Sequence, residues 1–196
     1  MKRVFIVHGW DGYPEEGWFP WLKKELEAKG FEVYVPQMPD AAHPRIEKWV
    51  PALAEAVGAT DEQTYFVGHS MGVQTIVRYL ESLPGDEKVG GAVFVGGYFK
   101  RLTGIEEEGE EVVAMAHHWL DVSPDLQKVK SHLPASIAIF SDDDPYVPLD
   151  NQDDFRDKLG SEILTLSKRG HFSGSTGTIE LPEARDALLT LADAGE

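Results

Sequence analysis

The chain has 196 residues, 42% hydrophobic and 27% charged, a globular balance with length enough for a hydrophobic core, which excludes a disordered chain. Eighteen Lys+Arg against thirty-four Asp+Glu leave a formal charge of −16, so nucleic acid and anionic lipid are disfavoured as partners. There is no cysteine, which excludes a disulfide framework, a thiolate metal site and a cysteine nucleophile.

The N-terminus begins with the basic pair Lys2-Arg3, but its apolar run ends after Val4-Phe5-Ile6-Val7. A secretory segment needs roughly 7–15 apolar residues, and a membrane span about 18. The expectation is a soluble, cytoplasmic protein of one domain over residues 1–196, without membrane association. Short β-branched or aromatic runs follow at 2–7, 31–35, 63–67, 91–95, 136–140 and 162–166. Amphipathic segments between them predict helices over 18–29, 44–57, 71–83, 149–159 and 182–192. Gly30 is placed to close the first helix, and Pro44 and Pro182 to open theirs at the first helical position.

This alternation predicts an α/β fold, a parallel sheet of about six strands with helices on both faces and no large cap domain. The expected strand order is 2-1-3-4-5-6, with the ligand site outside the strand ends where strands 1 and 3 part. Residues 98–130 break the rhythm and are too long for an ordinary connection. They hold the acidic run 106–111 and read either as a surface excursion with one or two short helices or as a lid or pocket wall over the strand ends.

Gly68-His69-Ser70-Met71-Gly72 lies where a strand turns into a helix, the place for a nucleophile elbow. The turn lifts a serine hydroxyl to a helix N-terminus, where developing negative charge is favoured. The plainer alternative is a glycine-rich loop with a capping serine. A serine nucleophile needs a base, and the base an orienting acid. His171, on the loop after the last strand, is the candidate base. The acid should come from the loop holding Asp142, Asp143 and Asp144, in the chain order Ser, acid, His of α/β-hydrolases. Asp144, followed by Pro145, is favoured over Asp143. A solvated capping turn and a divalent-cation site remain as alternatives for the triplet. The oxyanion is assigned to the backbone N–H groups of Met71 and Trp10. His69 is expected to pack or bond locally, His8 to support the loop after strand 1, and His43 and His132 to lie on the surface or in loops. His117 and His118 are neighbours and form no helical metal pair. Trp18, Trp21 and Trp49 read as core or core-edge residues, whereas Trp10, Tyr98, Phe99, Trp119 and Phe172 are candidates for an apolar substrate pocket. No metal motif and no dinucleotide or P-loop motif is present.

Together these blocks resemble the small serine-hydrolase family of retinoblastoma-binding protein 9 and the bacterial YdeN-like proteins. The resemblance rests on Val7-His8-Gly9-Trp10, Trp18-Phe19-Pro20-Trp21-Leu22, Pro36-Gln37-Met38-Pro39, the elbow, Asp143-Asp144-Pro145 and Gly170-His171-Phe172. It implies a compact α/β-hydrolase with Ser70, Asp144 and His171 as the triad. The Leu-x-Cys-x-Glu ligand suggested by the first member's name does not transfer, since the chain has no cysteine. The expected activity is hydrolysis of a small carboxylic ester, or an amide, through an acyl-enzyme without cofactor or metal. The competing reading is a protein-binding module in which the acidic run docks a basic, unidentified protein partner. Acyl transfer to an acceptor other than water shares the same intermediate.

Overall fold

The computed structural model describes residues 1–194. Six strands, β1 (Arg3–Val7), β2 (Glu32–Tyr34), β3 (Thr64–His69), β4 (Gly91–Val95), β5 (Ser136–Ser141) and β6 (Glu162–Leu166), form a wholly parallel sheet. Its order is β2-β1-β3-β4-β5-β6, as the alternation predicts. The register sets Val7 opposite Gly68 and His69 opposite Val95, so the ends of β1, β3 and β4 meet at the elbow.

The central strands are buried on both faces, and their side chains alternate between two cores. Phe5, Val7, Phe66, Ala92, Phe94, Ala138 and Phe140 enter one core, under α2 (Ile46–Val57) and α3 (Met71–Ser82). Val4, Ile6, Tyr65, Val67, Val93, Val95, Ile137 and Ile139 enter the other, under α1 (Phe19–Glu27) and α6 (Pro182–Ala194). Each Val, Ile or Phe among them taken fully from water contributes about 1.5–3 kcal/mol before entropy is counted.

Helix ends show where local signals held. Gly30, at φ +88°, donates its N–H to Glu27 O (3.0 Å), and Phe31 N–H reaches Leu26 O (3.2 Å), a Schellman closure of α1. Pro182 opens α6 as expected. Pro44 does not open α2, which starts at Ile46 behind an extended Arg45. The Pro44 carbonyl instead accepts from Trp119 Nε1 at 3.1 Å. The expected helix 149–159 divides into a 3₁₀ turn, Leu149–Asn151, and a π-helical segment, Asp154–Leu159. Asn151 is fully buried and commits its side chain to four backbone groups, on Phe99, Lys100, Arg101 and Pro148, which holds 149–151 in its own tight turn.

The excursion 98–130 carries a 3₁₀ turn (Ile105–Glu108), α4 (Glu110–Asp121) and the start of α5 (Leu126–His132). Arg78 of α3 ties it down. Its buried guanidinium lies 5.3 Å from the Trp119 ring and donates to the carbonyls of Trp119 and Val122 at the end of α4, where a cation is favoured. Burial lowers the Arg78 pKa to about 10, so the charge persists at neutral pH.

Candidate active site

β3 passes into α3 through Ser70, whose backbone sits at φ +53°, ψ −116°. A non-glycine residue holds such a conformation only where its surroundings over-determine it. Ser70 N–H donates to Val95 O at 2.9 Å. At Gly68 an added Cβ would lie 2.7 Å from Ile76 Cδ1 and 2.9 Å from Val73 N. At Gly72 it would lie 2.1 Å from Val7 O. Both motif glycines are therefore places where backbones touch. Ser70 makes no side-chain cap to α3, so the capping-serine alternative does not describe it. Its Oγ instead lies 2.9 Å from His171 Nε2.

His171 Nδ1 lies 2.8 Å from Asp144 Oδ2. A carboxylate accepts, so Nδ1 carries the proton and Nε2 is free to accept from the serine hydroxyl. The other Asp144 oxygen accepts from Tyr146 N–H (2.9 Å) and Val147 N–H (3.0 Å), and the carboxylate is 2% exposed. The three aspartates divide their work. Asp142 accepts from Lys168 N–H (2.8 Å), and Asp143 accepts from Ser141 Oγ (2.7 Å) and Gly170 N–H (2.8 Å). The Ser141 hydroxyl and then the Gly170 N–H hold the exposed Asp143 carboxyl below the usual range. Among the described residues no group of three or more His, Asp or Glu is placed to hold a metal.

The loop after β1 closes on the serine. A Cβ on Gly9 would come within 3.2 Å of Ser70 Cβ. His8 is buried, its Nδ1 donates to Gly9 O (2.8 Å) and its Nε2 accepts from Met38 N–H (2.9 Å). Burial pushes the His8 pKa down, so a neutral ring supports the loop. Met71 is the first residue of α3, and its N–H has no partner within the helix.

A cleft of about 660 Å³ opens over Ser70 and His171. Trp10, Tyr98 and Tyr146 line it, with Leu102, Ile105 and Met115 from the excursion, which is therefore a pocket wall. Phe99, Trp119 and Phe172 do not line it. Phe99 stacks on Phe155 at 4.6 Å, and Trp119 is fully buried against Trp49. Phe172 is fully buried in the core beneath α1 and α6. Apolar packing takes all three away from the cleft. Trp18 and Trp49 are core as expected, and Trp21 lies half-buried with the Arg185 guanidinium 5.5 Å from its ring.

His43 is exposed at the cleft, whereas His132 is buried, its Nδ1 donating to Glu87 O at 2.6 Å, rather than a surface residue. His69 does not bond locally. Its ring packs on Trp18 and Phe19, and its Nε2 lies 2.7 Å from the His171 carbonyl. Sequence reasoning also missed Gly96, Tyr146 and Glu16. Gly96, at φ +56°, leaves room for the imidazole, because a Cβ there would meet His171 Cε1 at 3.3 Å. Its place directly after a strand was the available signal. Tyr146 sets its ring edge-on to His171 at 5.4 Å. Glu16 is half-buried in the cleft, and burial and then Asp11 push its carboxyl pKa up, against the pull of His171.

Burial, then the neighbouring His171, lowers the His69 pKa from 6.5 to about 3. Between those values the unfolded chain binds a proton that the folded chain refuses, so stability rises with pH across the window and is lost as pH falls through it. The urea midpoint is expected to fall more steeply from pH 7 to pH 4 in the native chain than in His69→Gln. Equal slopes would show that His69 contributes nothing to acid lability.

A doubly covered parallel sheet with Ser, His and Asp converging beyond its strand ends is an α/β-hydrolase arrangement, and the protein is an enzyme of the serine-hydrolase class. Residues 4–190 match the Serine hydrolase family, and the chain belongs to it. It is 32% identical to the YdeN protein of Bacillus subtilis over 189 residues, covering 96% of this chain and 95% of that one. It is 29% identical over 193 residues to the serine hydrolase RBBP9 of Rattus norvegicus, covering 97% of each. The crystal structure of the B. subtilis ydeN product superposes with a TM-score of 0.89 at 31% identity, covering 98% of this chain and all of that one.

Proposed function

We propose that the protein hydrolyses a small carboxylic ester, or an amide, with Ser70 as nucleophile, His171 as base and Asp144 as the acid that orients it. The hydrogen-bonded line from Ser70 Oγ to His171 Nε2 (2.9 Å) and from His171 Nδ1 to Asp144 (2.8 Å) carries this reading. As Oγ attacks the substrate carbonyl, His171 takes the hydroxyl proton, and Asp144 stabilises the imidazolium. The N–H groups of Met71 and Trp10 receive the oxyanion. His171 returns the proton to the leaving group, which departs and leaves the acyl group on Ser70. Water, deprotonated by His171, then attacks the acyl carbon, the bond to Oγ breaks, and the imidazolium returns the proton to Ser70 as the acid leaves. A fluorophosphonate probe read by intact mass tests the reading. One adduct per chain at Ser70 is expected, and a folded, unlabelled protein overturns it.

The acidic segment supports an enzyme rather than a separate docking surface, because Glu108 and Glu111 face the same cleft as Ser70. With Asp11 and Glu16 they place four carboxylates around it, and among the described residues no Lys or Arg lines it. The cleft therefore selects against substrates that carry their own carboxylate. At low ionic strength kcat/KM for a neutral acyl ester is expected to exceed that for its dicarboxylic half-ester by about tenfold, equivalent to 1.4 kcal/mol, and salt should narrow the gap. Equal values at low salt would remove charge from the account of specificity.

A further inference from the structure

The residue beside the nucleophile also holds the base. His69, the last residue of β3, is 6% exposed, and its ring packs on Trp18 and Phe19 at the base of the cleft that holds Ser70. Its Nε2 lies 2.7 Å from the backbone carbonyl of His171. A carbonyl only accepts, so Nε2 carries a proton, and with burial holding the ring neutral Nδ1 carries none. The two rings lie 5.0 Å apart, a spacing at which a second cation would oppose the imidazolium.

The segment that carries His171 needs holding. Lys168, Gly170 and Phe172 all have positive φ, +56°, +54° and +55°, and two of them are not glycine. Asp142, Ser141 and Asp143 accept the N–H groups of Lys168, Arg169 and Gly170, at 2.8, 2.9 and 2.8 Å. On the carbonyl side, Trp18 Nε1 donates to Phe172 O at 3.0 Å, and His69 donates to His171 O itself. Of these clamps, only His69 is bonded covalently to the nucleophile.

We propose that His69 is a positioning residue that fixes the His171 imidazole relative to Ser70 by donating Nε2–H to the His171 carbonyl. This rests on the hydrolase reading above. A residue at the end of β3, next to Ser70 in the chain, then also holds the loop that carries the other partner of the first proton transfer.

The test compares His69→Phe and His69→Leu, which cannot donate, with His69→Gln, whose amide can. The readouts are the fluorophosphonate labelling rate, kcat and KM, and the downfield NMR signal of the His171 Nδ1 proton. Loss of the donor is expected to lower labelling and kcat by about 10²-fold, the scale of a 1 Å misplacement, with KM little changed. His69→Gln should recover most of that loss. In a His171→Ala background, removing the donor should cost nothing further, because His69 acts through His171. Native labelling rates in the non-donors, failure of His69→Gln to recover while folded, or an undiminished cost without His171 would each overturn the proposal. Should the non-donors fail to fold, ¹⁵N shifts of the native chain decide. A His69 protonated on Nδ1 overturns the clamp, and one protonated on Nε2 supports it. An unlabelled native chain that shows the downfield proton and the Nε2 tautomer would sink the hydrolase reading while leaving the clamp standing.

Discussion

Ser70→Ala is expected to abolish turnover and fluorophosphonate labelling, with a loss in kcat on the order of 10⁶-fold. The size follows from how such groups act. A hydrogen-bonded nucleophile, base and acid work as a unit, so removing the attacking atom removes nearly all the covalent chemistry and leaves only binding and oxyanion stabilisation. The fold should survive. Ser70 makes no side-chain cap to α3, and the turn is held by its N–H to Val95 O at 2.9 Å and by the packing of Gly68 and Gly72. The measurement is intact mass after probe treatment, beside a thermal melt of each protein. An alanine variant that turns over substrate at the native rate would remove Ser70 from the reaction.

Gly72→Ala should act on the fold rather than on the chemistry. The added methyl would sit 2.1 Å from Val7 O and 2.7 Å from His8 O. Both obstacles are backbone, so relief requires β1 and α3 to move apart, which opens the core between them. A cost above about 4 kcal/mol is expected, a large share of the 5–15 kcal/mol that holds a typical protein folded. At this chain length that lowers the melting temperature by about 8 °C or more, or leaves little soluble protein. Gly58→Ala is the control. Its Cβ would meet nothing within 4 Å, and only the backbone, at φ +64° and ψ −132°, is strained, worth about 1–3 kcal/mol. A Gly72→Ala variant that melts with the native chain would show that the strand end can retreat without penalty.

The same glycine shows why the elbow was legible. A Gly-x-Ser-x-Gly between a β run and an amphipathic helix records two backbone contacts that no other residue permits, so local sequence carries the tertiary constraint. Asp144 was less legible, since three adjacent aspartates look alike in sequence. Only the fold directs Asp142 and Asp143 to the backbone of the 168–170 segment and Asp144 to the imidazole. Trp119 and Phe172 were misplaced for the opposite reason. Aromatic residues near strand ends suit a pocket wall and a core equally, and burial against Trp49 and within the second core decided between them.

By itself the sequence determined the α/β class, the strand order, the strand-to-helix turn at Ser70 and the place of His171 on the loop after the last strand. Those features follow from hydrophobic periodicity, short connections and glycine positions, which are local properties of a chain. Tertiary structure alone decided that the acidic excursion walls the cleft, that Gly96 makes room for the imidazole, and that His69 reaches a carbonyl 102 positions away. The last of these joins the end of β3 to the loop after β6, on the far side of β4 and β5 in the sheet. Which side chain fills such a junction depends on packing and on hydrogen-bond partners that only the folded chain brings within reach.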